Sequence, residues 1–230
     1  MSSAARPAFY ALRPGGWRDY VTLLHPPYTL WHLSYVALGA ALAPEMKWGL
    51  LGWTVLAFLL AMGVGAHALD ELHERPLRTR IPSPALGALA AVSIAAASAI
   101  GIVVAARSTL WLLVFVGLGA LLVVAYNLEL LGGALHGDLW FAAAWGAFPV
   151  LTAYFASAER IRGEAVGAAA FAFLASLAQR RLSTEVRRVR RGGEPPPDAE
   201  LLLRGPEAAL RLLAAAMPAL AGALLLMRVG

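Results

Sequence analysis

Cysteine is absent from the 230 residues, which removes disulfides, thiolate metal sites and cysteine nucleophiles. Lysine is nearly absent: Lys47 stands alone among 19 basic residues, the rest being arginine. Charge of either sign is scarce, at 14% of residues against about 25% in soluble domains. Apolar residues take its place and make up 60% of the chain. A soluble core of this size has no room for so much apolar surface, so the soluble globular class is excluded and bilayer lipid is the expected solvent. The net charge is +5, yet the arginines lie between apolar runs rather than along one stripe. That pattern excludes nucleic acid as a partner and points to membrane lipids. There is no P-loop, HExxH, GxSxG or GxGxxG in strand context. Charge in the middle of a span is missing as well, which speaks against a transporter with a midplane site.

What is present is a series of charge-free runs. Seven occur, at about Pro27–Ala43, Trp48–Ala68, Pro84–Ala106, Thr109–Asn127, Leu139–Ser157, Ala165–Gln179 and Ala208–Met227. A helix rising 1.5 Å per residue needs about 20 such residues to cross ~30 Å of hydrocarbon. The runs lack period-two alternation and are rich in Ala and Leu, so helices rather than barrel strands are expected. The expected fold is therefore all-α: a polytopic membrane helical bundle of about seven transmembrane helices, forming a single membrane domain over residues 1–230. Residues 1–24 would be its cytoplasmic or interfacial N-terminus, with Trp17 and Tyr20 as headgroup-level anchors. Residues 66–84 and 180–206 would be cytoplasmic polar segments, the later one broken by the turn-forming stretch Gly192–Pro197. An N-terminus inside puts thirteen arginines on the cytoplasmic side against five basic residues outside, Arg211 uncounted, as the positive-inside rule requires. The expected location is the cell (plasma or inner) membrane, multi-pass. No apolar stretch precedes residue 20, so the first run is expected to act as the insertion signal.

The first polar segment carries His67, Asp70 and Glu74 at i, i+3 and i+7. Those offsets fall within about 60° on a helix, so one face presents all three. Two carboxylates one turn apart at a membrane surface suit Mg²⁺, which keeps several waters and is commonly shared with substrate phosphates. Arg75 and Arg78 follow and suit phosphate oxygens. The same spacing also makes Glu71–Arg75 and Glu74–Arg78 ordinary i,i+4 pairs, and an apolar-face histidine such as His67 is commonly a packed group.

The order apolar helix, carboxylates four apart, Arg75-Pro76-Leu77, a basic pair and Ile81-Pro82 resembles the first aspartate-rich motif of the UbiA superfamily of intramembrane prenyltransferases. Leu24-His25-Pro26-Pro27-Tyr28-Thr29 with Leu38-Gly39-Ala40 resembles its opening helix. Tyr126-Asn127-Leu128, then Gly137-Asp138 and Trp145-Gly146-Ala147-Phe148-Pro149, resembles its central tyrosine segment and following helix. The likeness covers roughly residues 20–192. It implies a bundle around a cavity open to lipid, with an isoprenyl pyrophosphate bound near the cytoplasmic surface and its prenyl chain transferred to an acceptor, whose identity is left open. His67 then occupies the first acidic place, Asp70 the second and Glu74 the third, which makes His67, Asp70 and Glu74 the metal set and Asp70 and Glu74 the catalytic pair. Tyr126 and Asn127 would contact pyrophosphate or acceptor, and Asp138 could serve as a base. Interfacial anchoring of Tyr126 and helix N-capping by Asp138 are the bland alternatives.

The second motif departs from the family. Residues 176–191 hold no pair of carboxylates, only Glu185 among six arginines. Arg180, Arg181 and Arg187 are then either a guanidinium clamp for the leaving pyrophosphate or an anchor for anionic lipid. Seven spans are read where typical members have nine. The expected activity is that of a prenyltransferase with Mg²⁺-assisted ionisation. A terpene cyclase of the same type and a non-catalytic prenyl-lipid-binding membrane protein are the alternatives.

Overall fold

The computed structural model describes residues 6–191 and 198–229. Among them every regular element is a helix. A short helix α1 (Trp17–Leu23) is followed by α2 (Pro26–Leu42), α3 (Trp48–Glu74), α4 (Ser83–Arg107), α5 (Leu112–Asn127), α6 (Asp138–Ala158), α7 (Gly163–Arg191) and α8 (Ala199–Leu226). Four of these, α3, α4, α6 and α8, are long and apolar enough to cross a membrane. The protein is a helical membrane protein. Its large exposed side chains include Val92, Ile102, Val114, Leu121, Leu201 and Leu212, an outward apolar surface that only lipid accommodates without penalty.

Each apolar run read from the sequence lies on one long helix, but the ends differ. α7 continues through the arginines to Arg191 instead of stopping near Gln179. Its last turns are amphipathic: Leu182, Val186 and Val189 pack with Leu203 and Leu210 of α8, and with Phe9 and Tyr28. Charge ends the apolar run there without ending the helix, because one face still has a partner. α8 likewise begins at Ala199, ahead of the expected Ala208. The turn expected at Gly192–Pro197 lies outside the described residues.

α2 is the central element, flanked by α8 and α6. Trp31 and Tyr35 are fully buried there, and the indole N–H of Trp31 donates to the Tyr35 hydroxyl at 2.5 Å. Backbones meet closely along this helix. A Cβ built on Gly39 would collide with the Val150 carbonyl of α6, so small residues are what permit this approach. Gly39→Ala is expected to lower stability by about 1–3 kcal/mol through backbone displacement. A fall in the detergent melting temperature would register it; an unchanged melt would refute the close approach.

The two ends of the bundle are chemically distinct. One gathers the arginines of α7, the loop after α3 and the N-terminal segment; Arg190 of α7 pairs there with Glu207 of α8 at 2.6 Å, both side chains buried. At the other end Lys47 faces Glu159 at 3.9 Å, and Arg228 donates to the carbonyls of Ala41 and Ala43 at 2.7 and 2.8 Å. Those two bonds satisfy carbonyls that the end of α2 leaves without helical partners.

Two helices contain wide turns. Leu59–Ala66 in α3 and Ala142–Ala147 in α6 are π-helical. Such turns are rare and concentrate at functional sites.

Candidate functional site

Beyond its π-helical stretch, α3 ends in His67–Glu74 and leads into a loop that returns to α4. Glu71 organises that loop. It is fully buried and accepts the backbone N–H groups of Leu77 and Thr79 at 2.9 and 2.7 Å. Arg75 and Arg78 both adopt left-handed backbone, with φ of 54° and 55°, a conformation that costs free energy in a non-glycine residue and needs outside support. The Arg75 guanidinium supplies part of it by donating to the Ile81 carbonyl at 2.6 Å and to the Ser83 hydroxyl at 2.7 Å. Asp19 of α1 accepts the Arg80 N–H at 3.0 Å. Neither i,i+4 pair weighed from the sequence describes Glu71 or Arg75: both side chains serve the loop. Arg78 is exposed.

The faces of α3 therefore have different duties. Glu71 points into the loop, and Asp70 carries a charge that acts on the Tyr126 hydroxyl, as do those of Asp138, Arg180 and Arg187. These five residues come from four helices separated by up to 117 positions in the chain. All five are among the residues singled out from the sequence; of these, Asp138 and Arg180 are in direct contact. Tyr126 is no interfacial anchor: it is 5% exposed, and its hydroxyl is buried with no hydrogen-bond partner among the described residues. A buried hydroxyl left without a hydrogen-bond partner costs free energy. Its ring stacks on His136 at 4.4 Å and leans on Trp145 at 4.8 Å. Asp138 does not cap α6 with its side chain; its Oδ1 faces Arg180 Nε at 3.4 Å. The Arg180 guanidinium also lies over the Phe141 ring, 5.3 Å from its centre. Arg187 donates to the Thr184 hydroxyl at 2.9 Å, and its charge is felt at Tyr126 and at Tyr28 of α2.

Other expected participants are placed elsewhere. Asn127 is buried and spends its amide on the Val123 carbonyl at 2.7 Å. Arg181 is exposed. His67 is packed: its ring stacks on His25 at 4.0 Å, and its Nδ1 lies 3.0 Å from the Gly63 carbonyl. A carbonyl only accepts, so Nδ1 carries the proton and Nε2 is the free acceptor. Glu74 is exposed and groups with His73 and Glu129, their donor atoms within 4.8 Å of one another. His67, Asp70 and Glu74 do not form such a group among the described residues.

An apolar cavity lies between α3, α4, α5 and α6; its lining includes Trp145, which packs on Tyr126, but none of the charged residues. It encloses about 900 Å³ of space free of atoms, its open mouth included. Met62, Ile94, Val123 and Trp145 line the part near the cluster, and Val104, Leu112 and Ala156 the far part. Trp145 belongs to both regions: it forms cavity wall and packs on Tyr126. Both π-helical stretches border this space through Ala61, Met62, Ala144 and Trp145. The cavity leaves no trace in the sequence beyond the Gly and Ala residues of its walls, because it is a property of packing.

Comparison with protein-family models, with characterised proteins and with solved structures finds no match to this chain.

Proposed function

We propose that the protein is an intramembrane prenyltransferase of UbiA type, with a span count of seven and its arginine-rich end in the cytoplasm. One observation carries the reading: Tyr126, whose unsatisfied hydroxyl feels the charges of Asp70, Asp138, Arg180 and Arg187, packs on Trp145, a wall of an apolar cavity with about 900 Å³ of atom-free space, its open mouth included. That is the shape and polarity of an amphiphile with an anionic head and a long hydrocarbon tail. The order of motifs along residues 20–192 supports a diphosphate head and an isoprenoid tail.

In this reading Arg180 and Arg187 bind pyrophosphate oxygens and Tyr126 donates its hydroxyl proton to a third. The C1–O bond of the allylic substrate breaks, and the pyrophosphate departs with the electron pair. Fixed positive groups at the departing oxygens stabilise the charge that develops there. Phe141, Tyr126 and Trp145 present ring faces to the allylic cation and exclude water. The acceptor's nucleophilic atom bonds to C1, and its proton passes to Asp138. Mg²⁺ prefers hard oxygen donors; Asp70 is one, but Glu74 groups with His73 and Glu129, so the metal set expected from the motif is not assembled among the described residues.

The test is direct. The full chain in detergent or nanodiscs, given geranylgeranyl or farnesyl pyrophosphate and Mg²⁺ with a lipid extract as acceptor source, is expected to release pyrophosphate. Release without an acceptor would identify a cyclase. Saturable binding with no release under any condition would identify a non-catalytic prenyl-lipid binder, and neither binding nor release would end the reading.

A further inference from the structure

The end of the bundle opposite the charged cluster has a recess of its own, between the start of α3 and the last turns of α4. It encloses about 1000 Å³, its open face included, and is walled by Leu50, Trp53, Ala99, Ile100, Val103 and Val104. Its polar residues, Lys47, Arg107 and Ser108, all sit at one end. Lys47 directly precedes α3, and Arg107 and Ser108 close α4. From Ala99 to Arg107 the helix rises ~12 Å, most of the ~15 Å hydrocarbon depth of one leaflet. Polarity thus changes along the groove as it does along a phospholipid standing in its own leaflet.

The charged residues in the groove's lining, Lys47 and Arg107, have one sign, while the carboxylates of Glu45 and Glu159 lie outside that lining. Glu159 lies 3.9 Å from Lys47, with both side chains nearly half exposed, a surface contact that contributes little. Glu164, another carboxylate at this end, accepts the Tyr154 hydroxyl at 2.6 Å. Arg107 is exposed and makes no ion pair among the described residues. Cationic rim and apolar floor together match an anionic phospholipid and not a zwitterionic one.

We infer that this groove is a binding site for an anionic phospholipid of the leaflet opposite the charged cluster. Its phosphate and anionic headgroup rest on Arg107 and Lys47, and one acyl chain lies along α4 against Trp53 and Val103. Trp53, Ile100 and Val104 also line the cavity between α3, α4, α5 and α6, so the bound chain forms part of that cavity's far wall. The site stands on its own groove and rim, whatever reaction the other end performs.

Native mass spectrometry of the full chain, delipidated and titrated with phosphatidylglycerol or phosphatidylcholine, tests this. Phosphatidylglycerol is expected to be retained preferentially. Arg107→Gln and Lys47→Gln are each expected to weaken its retention about fivefold and to leave phosphatidylcholine unchanged. Val103→Trp, at an exposed position, fills the groove with both cations in place and is expected to expel the lipid. Arg160→Gln removes a cation from the same end outside the groove and is expected to change nothing. Equal retention of the two lipids, wild-type retention by Arg107→Gln and Val103→Trp, or an equal loss in Arg160→Gln would each overturn the assignment. So would a dimer that buries Val103.

Discussion

Glu71→Ala is expected to lose about 3–5 kcal/mol of stability, the sum of two charge-assisted hydrogen bonds to buried backbone donors. The carboxylate is fully buried and holds the N–H groups of Leu77 and Thr79. Without it both donors stay buried and unpaired, and only the Arg75 guanidinium and Asp19 still restrain a loop that carries Arg75 and Arg78 in left-handed conformation. A chain of this size loses roughly 2–4 °C in melting temperature per kcal/mol, so a drop of the order of 10 °C in detergent is expected. Glu71→Gln separates charge from shape: its amide keeps one acceptor oxygen for one of the two donors, and an intermediate loss should result. A melt of Glu71→Ala within about 2 °C of wild type would refute the anchoring role.

Asp70→Asn is expected to lower pyrophosphate release by about 10²–10³-fold with the fold intact, the scale at which single preorganised electrostatic groups contribute to catalysis. The substitution keeps size and removes charge from the one position on α3 whose carboxylate acts on Tyr126. Excess Mg²⁺ should restore part of the rate if Asp70 holds the ion, and none if the carboxylate acts only on its neighbours. Unchanged turnover would remove Asp70 from the mechanism. The neighbouring Glu71→Gln serves as the contrast, because its loss of stability should leave the rate per folded molecule close to wild type.

The helices were legible as apolar runs because lipid imposes a length of about twenty residues on anything that crosses it. Their ends were less legible: α7 runs on through charge, since Leu182, Val186 and Val189 still find partners. Within the candidate site Asp70, Arg180 and Arg187 were singled out by residue type and order, and Tyr126 and Asp138 by the family resemblance; all four charges act on the Tyr126 hydroxyl. Glu71 and Arg75 were not readable. An i,i+4 acid–base spacing looks the same in sequence whether the two side chains pair or serve a loop, and only the turn at Arg75 decides. Glu74 shares its helix face with Asp70, yet it emerges toward His73 and Glu129, because the helix ends before a shared face becomes a shared site.

The wide turns of α3 have a consequence for how this protein can change over time. A π-helical stretch amounts to one surplus residue lodged in an α-helix. A single residue could be lost between Leu59 and Ala66 with the segment relaxing to ordinary pitch, and Asp70 would keep nearly its present direction, because a turn closed by i→i+5 bonds spends one more residue on the same rotation than an α turn does. The same loss from a regular α-helical stretch would swing everything after it by about 100°. The stretch before Asp70 thus tolerates a lost codon that the rest of the helix would not.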